Sequence, residues 1–145
     1  AQIALGADLR YAAPDAKLSI MEIRWGLIPD IAISVTATNL LRDDLLRELA
    51  YTGRVVDGGE ARDLGLVTAI HDDPLQAARD TARLIASRSP DAIRAMKTLF
   101  NERRDLDAAQ SLALEARLQS GIIGRANQLE AVRANVERRE PDFED

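Results

Sequence analysis

The spacing of apolar residues changes once along the chain, at Asp72, and that change limits the folds open to it. Before Asp72 the apolar residues come in short pieces parted by Gly, Pro and Asp. Residues 8–13 (DLRYAA) and 17–21 (KLSIM) have strand length, and PDA at 14–16 suits a turn between them. GLIPD at 26–30 reads as a loop. Residues 30–41 are apolar but rich in Ile, Val and Thr, which leaves helix and strand both open. Over 43–51, Leu45, Leu46, Leu49 and Ala50 share one helical face, and Gly53 stops that helix. Asp57 followed by Glu60 has the spacing of a capping box, Gly65 closes the short helix, and LVTAI at 66–70 is the next strand.

After Asp72 the spacing is helical throughout. Leu75, Ala78, Ala82 and Ile85 form a stripe over 74–88. SPD at 89–91 is a strong helix start: a hydroxyl cap, a proline in the first turn and an acid at the positive end. The stripe Ile93, Met96, Leu99, Phe100 follows it. Two further helices are predicted, over 106–123, ended at Gly121 or Gly124, and over 126–139, stopped by Pro141. The chain therefore reads as an α/β part over 1–71 and a helical region over 72–145, without internal repeats.

Several function classes are excluded by what the chain lacks. Its 145 residues suit one domain of ordinary size. The longest uncharged run, 31–41, is far short of the ~20 residues that cross a bilayer, so no membrane role is expected. With no cysteine there are no disulfides, thiolate metal sites or cysteine nucleophiles, which fits a cytoplasmic location. A net charge of -5 and 3% aromatic residues argue against a nucleic-acid partner. His71 stands alone, so no metal site is expected. Ser19, Ser34 and Thr36 have no base at a recognisable spacing. DGGEA matches neither a dinucleotide fingerprint nor a phosphate loop. RRDLD and ERREPDFED read as solvated charge runs. The opening AQIALGAD has no methionine and reads as the interior of an element, so a fragment, a processed chain or part of a split protein is expected.

Two acids carry the chemistry. In KLSIMEIRWGLIPD, Glu22 sits among Leu18, Ile20, Met21, Ile23 and Trp25, and Asp30 follows Pro29. A carboxylate in an apolar pocket resists ionising, which suits it to proton transfer near neutral pH. The alternative for Glu22 is the solvated face of a strand, beside Ile20 and Arg24. The alternative for Asp30 is a helix N-cap.

The order of these motifs resembles the crotonase superfamily, the enoyl-CoA hydratases and isomerases. Residues 2–30 are similar to the family's central segment of helix, D-x-R-x-A strand, then strand and G-L-x-P turn. LAYTGRVVDGGEARDLGLV is similar to its TG…A-x-E-A-x-x-x-G-L-V run, and SRSPDAIRAMKTLFN to its S-P-x-A-x-x-x-x-K helix. The resemblance covers nearly the whole chain. It implies a crotonase-like spiral, a ββα superhelix, followed by an α-helical C-terminal trimerisation region, and a homotrimer or dimer of trimers. It also implies an acyl-CoA substrate, with coenzyme A part of the substrate and no separate cofactor. The N-terminal half of the family protein, with both oxyanion-hole donors, would precede Ala1.

Two family glutamates fall on Gln2 and Glu22. Glu22 matches the catalytic base. Gln2 cannot accept a proton at neutral pH but can hold a water or a polar group of the substrate. Shifting a double bond is therefore favoured over adding water. Asp30 falls where hydratases carry glycine and dienoyl-CoA isomerases carry aspartate, which makes it the second catalytic candidate. The usual G-G-T-Q-R run after this turn is replaced by AISVTATNL. Trp25 is a candidate substrate contact. Arg138 matches a basic position that meets the nucleotide end of coenzyme A, with Arg139 the weaker neighbour; a solvated tail is the alternative. A true hydratase, or a non-catalytic member that binds acyl-CoA or a protein, is the other functional reading.

Overall fold

The strand-length segments of the first part pair over much shorter stretches than their apolar runs. In the computed structural model, which describes residues 1–145, β1 (Tyr11–Ala12) lies parallel to β4 (Ala69–Ile70), with Tyr11 opposite Ala69 and Ala12 opposite Ile70. Bonds from Thr68 N–H to Arg10 O (2.7 Å) and from His71 N–H to Ala12 O (3.0 Å) extend this contact at both ends. β2 (Leu18–Ser19) runs antiparallel to β3 (Val55–Val56). Two-stranded pairs are marginal by themselves. They are held by one buried cluster: Leu5, Ala12, Ile20, Ile33, Ala37, Leu49, Val56, Ala61, Leu66 and Val67.

Glycines and charged side chains fix the connections around that cluster. α2 (Asp43–Thr52) buries Leu49 and stops where Gly53 turns left-handed at φ 58°. Ser19 Oγ donates to Gly53 O at 3.2 Å, tying the helix end to β2. α3 (Gly58–Asp63) begins at Asp57, whose carboxylate accepts from Glu60 N–H at 2.9 Å. Glu60 does not complete the expected capping box. Its carboxylate is drawn to Arg54 (2.7 Å), which also holds Glu48 (2.7 Å). Gly58 passes so close to the turn after β1 that a Cβ would stand 2.2 Å from Ala13 O, which explains a glycine there without any phosphate. Arg10 of the D-x-R-x-A run is a staple, donating through Nε to Leu66 O (2.7 Å) and through a terminal nitrogen to Ala7 O (2.8 Å).

Residues 30–41 resolve as a four-residue helix, α1 (Ile33–Thr36), entered through Ala32 at φ 56°. Asp30 is therefore not its N-cap: the cap position is Ala32, and no side chain caps the helix. The helical region follows its stripes more closely. α4 (Pro74–Ala86) contains the division between two compact units, Ala1–Asp80 and Thr81–Asp145, whereas the sequence reading placed a boundary after residue 71. α5 (Pro90–Glu102) has Ser89 as its cap. α6 (Ala108–Ser120) starts at a complete capping box of Asp107 and Gln110. α7 (Ala126–Glu137) ends at Arg138, left-handed at φ 54°.

The C-terminal charge run is not simply solvated, as the sequence suggested. It folds back on α7. Arg139 forms an ion pair with Glu130, and Glu130 also accepts from Asp142 N–H at 2.9 Å. Buried Asn127 accepts from Glu144 N–H (2.9 Å) and donates both to Glu144 O (2.9 Å) and to Asp91 (3.0 Å). No helix is long and apolar enough to cross a membrane.

Candidate functional site

Gln2 opens a 3-10 helix over Gln2–Gly6 and is only 5% exposed. A buried amide must find partners for both its ends. Its nitrogen donates to Glu22 Oε1 in a short bond, and its oxygen accepts from Ile31 N–H at 3.0 Å. One side chain thus joins three separate segments: the first helix, the turn after β2 and the loop after Pro29.

Glu22 is half-buried and does not lie on a strand face. β2 ends at Ser19, and Glu22 begins a 3-10 helix over Glu22–Trp25 that closes at Gly26, left-handed at φ 67°. The short helix lifts Glu22 off the pleat and turns its side chain towards Gln2. Only one carboxylate oxygen is satisfied there. Glu22 Oε2 is buried and has no hydrogen-bond partner. Burying an oxygen of this kind without a donor is costly; Glu48 Oε2, whose carboxylate is paired with Arg54, is the other buried oxygen left in this way. Glu22 lines a cavity of about 450 Å³ together with Ala1, Gln2, Ile3, Ala4 and Ile31. Glu22 is the single ionisable side chain among these six. The arrangement can accept and return one proton beside apolar atoms. It does not offer two acids side by side.

The other candidates stand apart from this cavity. Asp30 is exposed and does not line it, although the next peptide N–H, that of Ile31, does reach Gln2. Trp25, at the end of the short helix, is 78% exposed and is also absent from the lining. Arg138 is exposed and lies in the second unit. Its neighbour Arg139 is engaged by Glu130 and Glu137, and in return holds the Glu130 carboxyl down to about 2. His71 packs edge-on to the Tyr11 ring, with centroids 5.4 Å apart. No group of three His, Cys, Asp or Glu side chains could hold a metal ion. The residue missed by sequence reasoning is Ile31, which contributes a backbone N–H. No letter of the sequence signals that.

A family model described as enoyl-CoA hydratase/isomerase matches residues 1–145. The mitochondrial methylglutaconyl-CoA hydratase of Mus musculus is 29% identical over 148 aligned positions, covering 98% of this chain and 47% of that protein. The human mitochondrial enoyl-CoA hydratase domain-containing protein 2 is 32% identical, covering 98% of this chain and 51% of that protein. Among solved structures, an enoyl-CoA hydratase from Polaromonas sp. JS666 superposes with a TM-score of 0.92 at 28% identity, covering 99% of this chain and 56% of that one. The chain thus spans about half the length of the relatives it matches. These likenesses bear out the crotonase-like α/β fold.

Proposed function

Since this chain belongs to the enoyl-CoA hydratase/isomerase family, we propose that Glu22 is the proton-carrying base of an acyl-CoA enzyme whose reaction is double-bond isomerisation. One observation carries the reading: a carboxylate with one buried oxygen lacking a donor, lining a cavity that has no second acid. On a 3-enoyl thioester, Glu22 Oε2 takes a proton from C2. The electron pair of the broken C–H bond moves into the thioester, whose oxygen becomes an enolate. The same proton then passes from Oε2 to C4, the double bond settles between C2 and C3, and the carbonyl is restored. No atom is gained or lost. Backbone donors at the enolate oxygen, each worth about 10²–10³ in rate, fall before Ala1 in this reading. Adding water would need a second group to activate it, and both ends of the Gln2 amide are already engaged.

Coenzyme A phosphates at Arg138, an acyl contact at Trp25, a homotrimer and a cytoplasmic setting belong to the same proposal. Asp30 is the runner-up acid. With Asp30 outside the cavity, Asp30→Asn is expected to turn over near the parental rate with unchanged melting, and a large rate loss at unchanged melting would favour a two-acid mechanism. Hydration is the second reading, favoured by the relatives' names as hydratases. The two separate when the full-length protein is mixed with 3-enoyl-CoA and, separately, with 2-enoyl-CoA and followed by ultraviolet absorbance. Conversion of the first alone supports isomerisation. Loss of the 2-enoyl absorbance through water addition overturns it in favour of a hydratase.

A further inference from the structure

Gln2 is the only polar side chain buried in the unit that holds Glu22, and each end of its amide has a partner. We propose that Gln2 is a positioning residue: it fixes the Glu22 carboxylate so that Oε2 alone carries the proton, and it ties that carboxylate to the Ile31 loop. The proposal rests on the reading of Glu22 as the base, and replaces the expectation that Gln2 contacts substrate.

The amide orientation follows from its partners. Ile31 N–H can only donate, so the Gln2 oxygen must face it, and the NH₂ group must face Glu22. Glu22 Oε1 therefore always meets a donor. A proton placed on Oε1 would point hydrogen at hydrogen. Protonation is directed to Oε2, the oxygen with no hydrogen-bond partner. Both protonation states of Glu22 keep the Gln2 bond, so the carboxyl need not rotate during proton transfer. A glutamate at position 2 would behave differently. Ionised, it would still accept from Ile31 but would set a second negative charge against Glu22; it could hold Glu22 only by keeping a proton. The swap of one amide for one acid thus separates a fixed single base from a pair sharing a proton.

The test follows conversion of a 3-enoyl-CoA thioester to the 2-enoyl thioester by ultraviolet absorbance, using the full-length protein. Gln2→Met keeps length and apolar volume but removes both bonds. It is expected to lower kcat about 10- to 100-fold with KM changed less than about twofold, because a misaimed base slows the chemistry without weakening binding. Gln2→Met added to Glu22→Gln should cost nothing further, since the two act through one atom. Gln2→Glu, which retains the Ile31 contact, is expected to move the acid limb of the rate profile to higher pH. A Gln2→Met protein with raised KM and parental kcat would make Gln2 a substrate contact and overturn the proposal, as would full additivity with Glu22→Gln. Should Gln2→Met not fold, Gln2→Glu decides: an unmoved pH profile overturns the proposal. Failure of the underlying reading looks different. A Glu22→Gln protein converting the substrate at the parental rate, or a parent that converts none, removes the base itself.

Discussion

Glu22 accepts a bond from Gln2 on one oxygen and none on the other, and the two halves of that arrangement have opposite consequences. The unsatisfied oxygen costs stability while providing a proton acceptor. Glu22→Gln keeps the shape and removes the charge. It is expected to cut turnover by about 10²–10⁴, the usual worth of a positioned acid–base group, while the protein melts at or above the parental temperature. Calorimetry beside the absorbance assay reads both. Equal loss of activity and of folding would make Glu22 a structural acid. Little of this was legible locally. Glu22 and Gln2 are separated by 20 residues, so no spacing rule joins them, and the alternative of a strand face shared with Ile20 and Arg24 gave way to a 3-10 turn. The apolar neighbours suggested proton chemistry for Glu22 and the family resemblance gave it the base's role, but nothing in the letters pointed to the Ile31 N–H.

Helices were easier to read than strands, for a reason that shows at the scale of elements. The stripe Ile93, Met96, Leu99, Phe100 is a local pattern, and α5 forms where it runs. A strand is only as long as its partner allows, so LVTAI yields just Ala69–Ile70 where Tyr11–Ala12 lies beside it. Asp57 was rightly read as a cap, but Glu60 was diverted to Arg54, an interaction settled by tertiary position. The paired glycines of α3 give a sharp contrast. A Cβ at Gly58 would collide with Ala13 O at 2.2 Å, whereas one at Gly59 meets nothing nearer than Asp57 at 3.4 Å. Gly58→Ala is expected to lose about 3 kcal/mol in urea unfolding, and Gly59→Ala well under 1 kcal/mol. Equal losses would mean the turn after β1 can move aside. On α7, the Glu130 carboxyl sits at about 2 in the fold, below its ordinary 4.5, chiefly because Arg139 donates to it. A group depressed in this way contributes stability above its unfolded value and loses it as pH falls through the folded value. The advantage of the parent over Glu130→Gln should therefore be full near pH 6, shrink below about 4.5 and vanish near 2. A gap unchanged between pH 6 and 3 would show that Glu130 acts through packing instead.

At the scale of the molecule, the sequence separated an α/β part from a helical part, and the two differ greatly in what they bury. All ten residues of the buried apolar cluster, from Leu5 to Val67, belong to Ala1–Asp80. Thr81–Asp145 has only Leu114 and Ala134 as buried apolar residues, with Asn127 the buried polar one. Many of its other large apolar side chains are open: Leu112 is 65% exposed, Ile123 62% and Val136 78%. Between α5 and α6 lies a groove of about 590 Å³, lined mainly by residues such as Met96, Leu99, Leu112 and Ile122. Helical spacing predicts which residues share a face, but not whether anything covers that face, so the sequence could not reveal this imbalance. Most helical stability in proteins comes from packing an apolar face, and α5, α6 and α7, at 12 or 13 residues each, are too short to persist alone. Caps at Ser89 and Asp107 add only about 1 kcal/mol each. Produced as a separate peptide, residues 81–145 should therefore show weak helicity, a broad melt without a cooperative step, and binding of a dye that reports exposed apolar surface. A sharp, reversible melt of that peptide at micromolar concentration would mean its helices bury enough among themselves, and that so few buried side chains suffice for an independent fold.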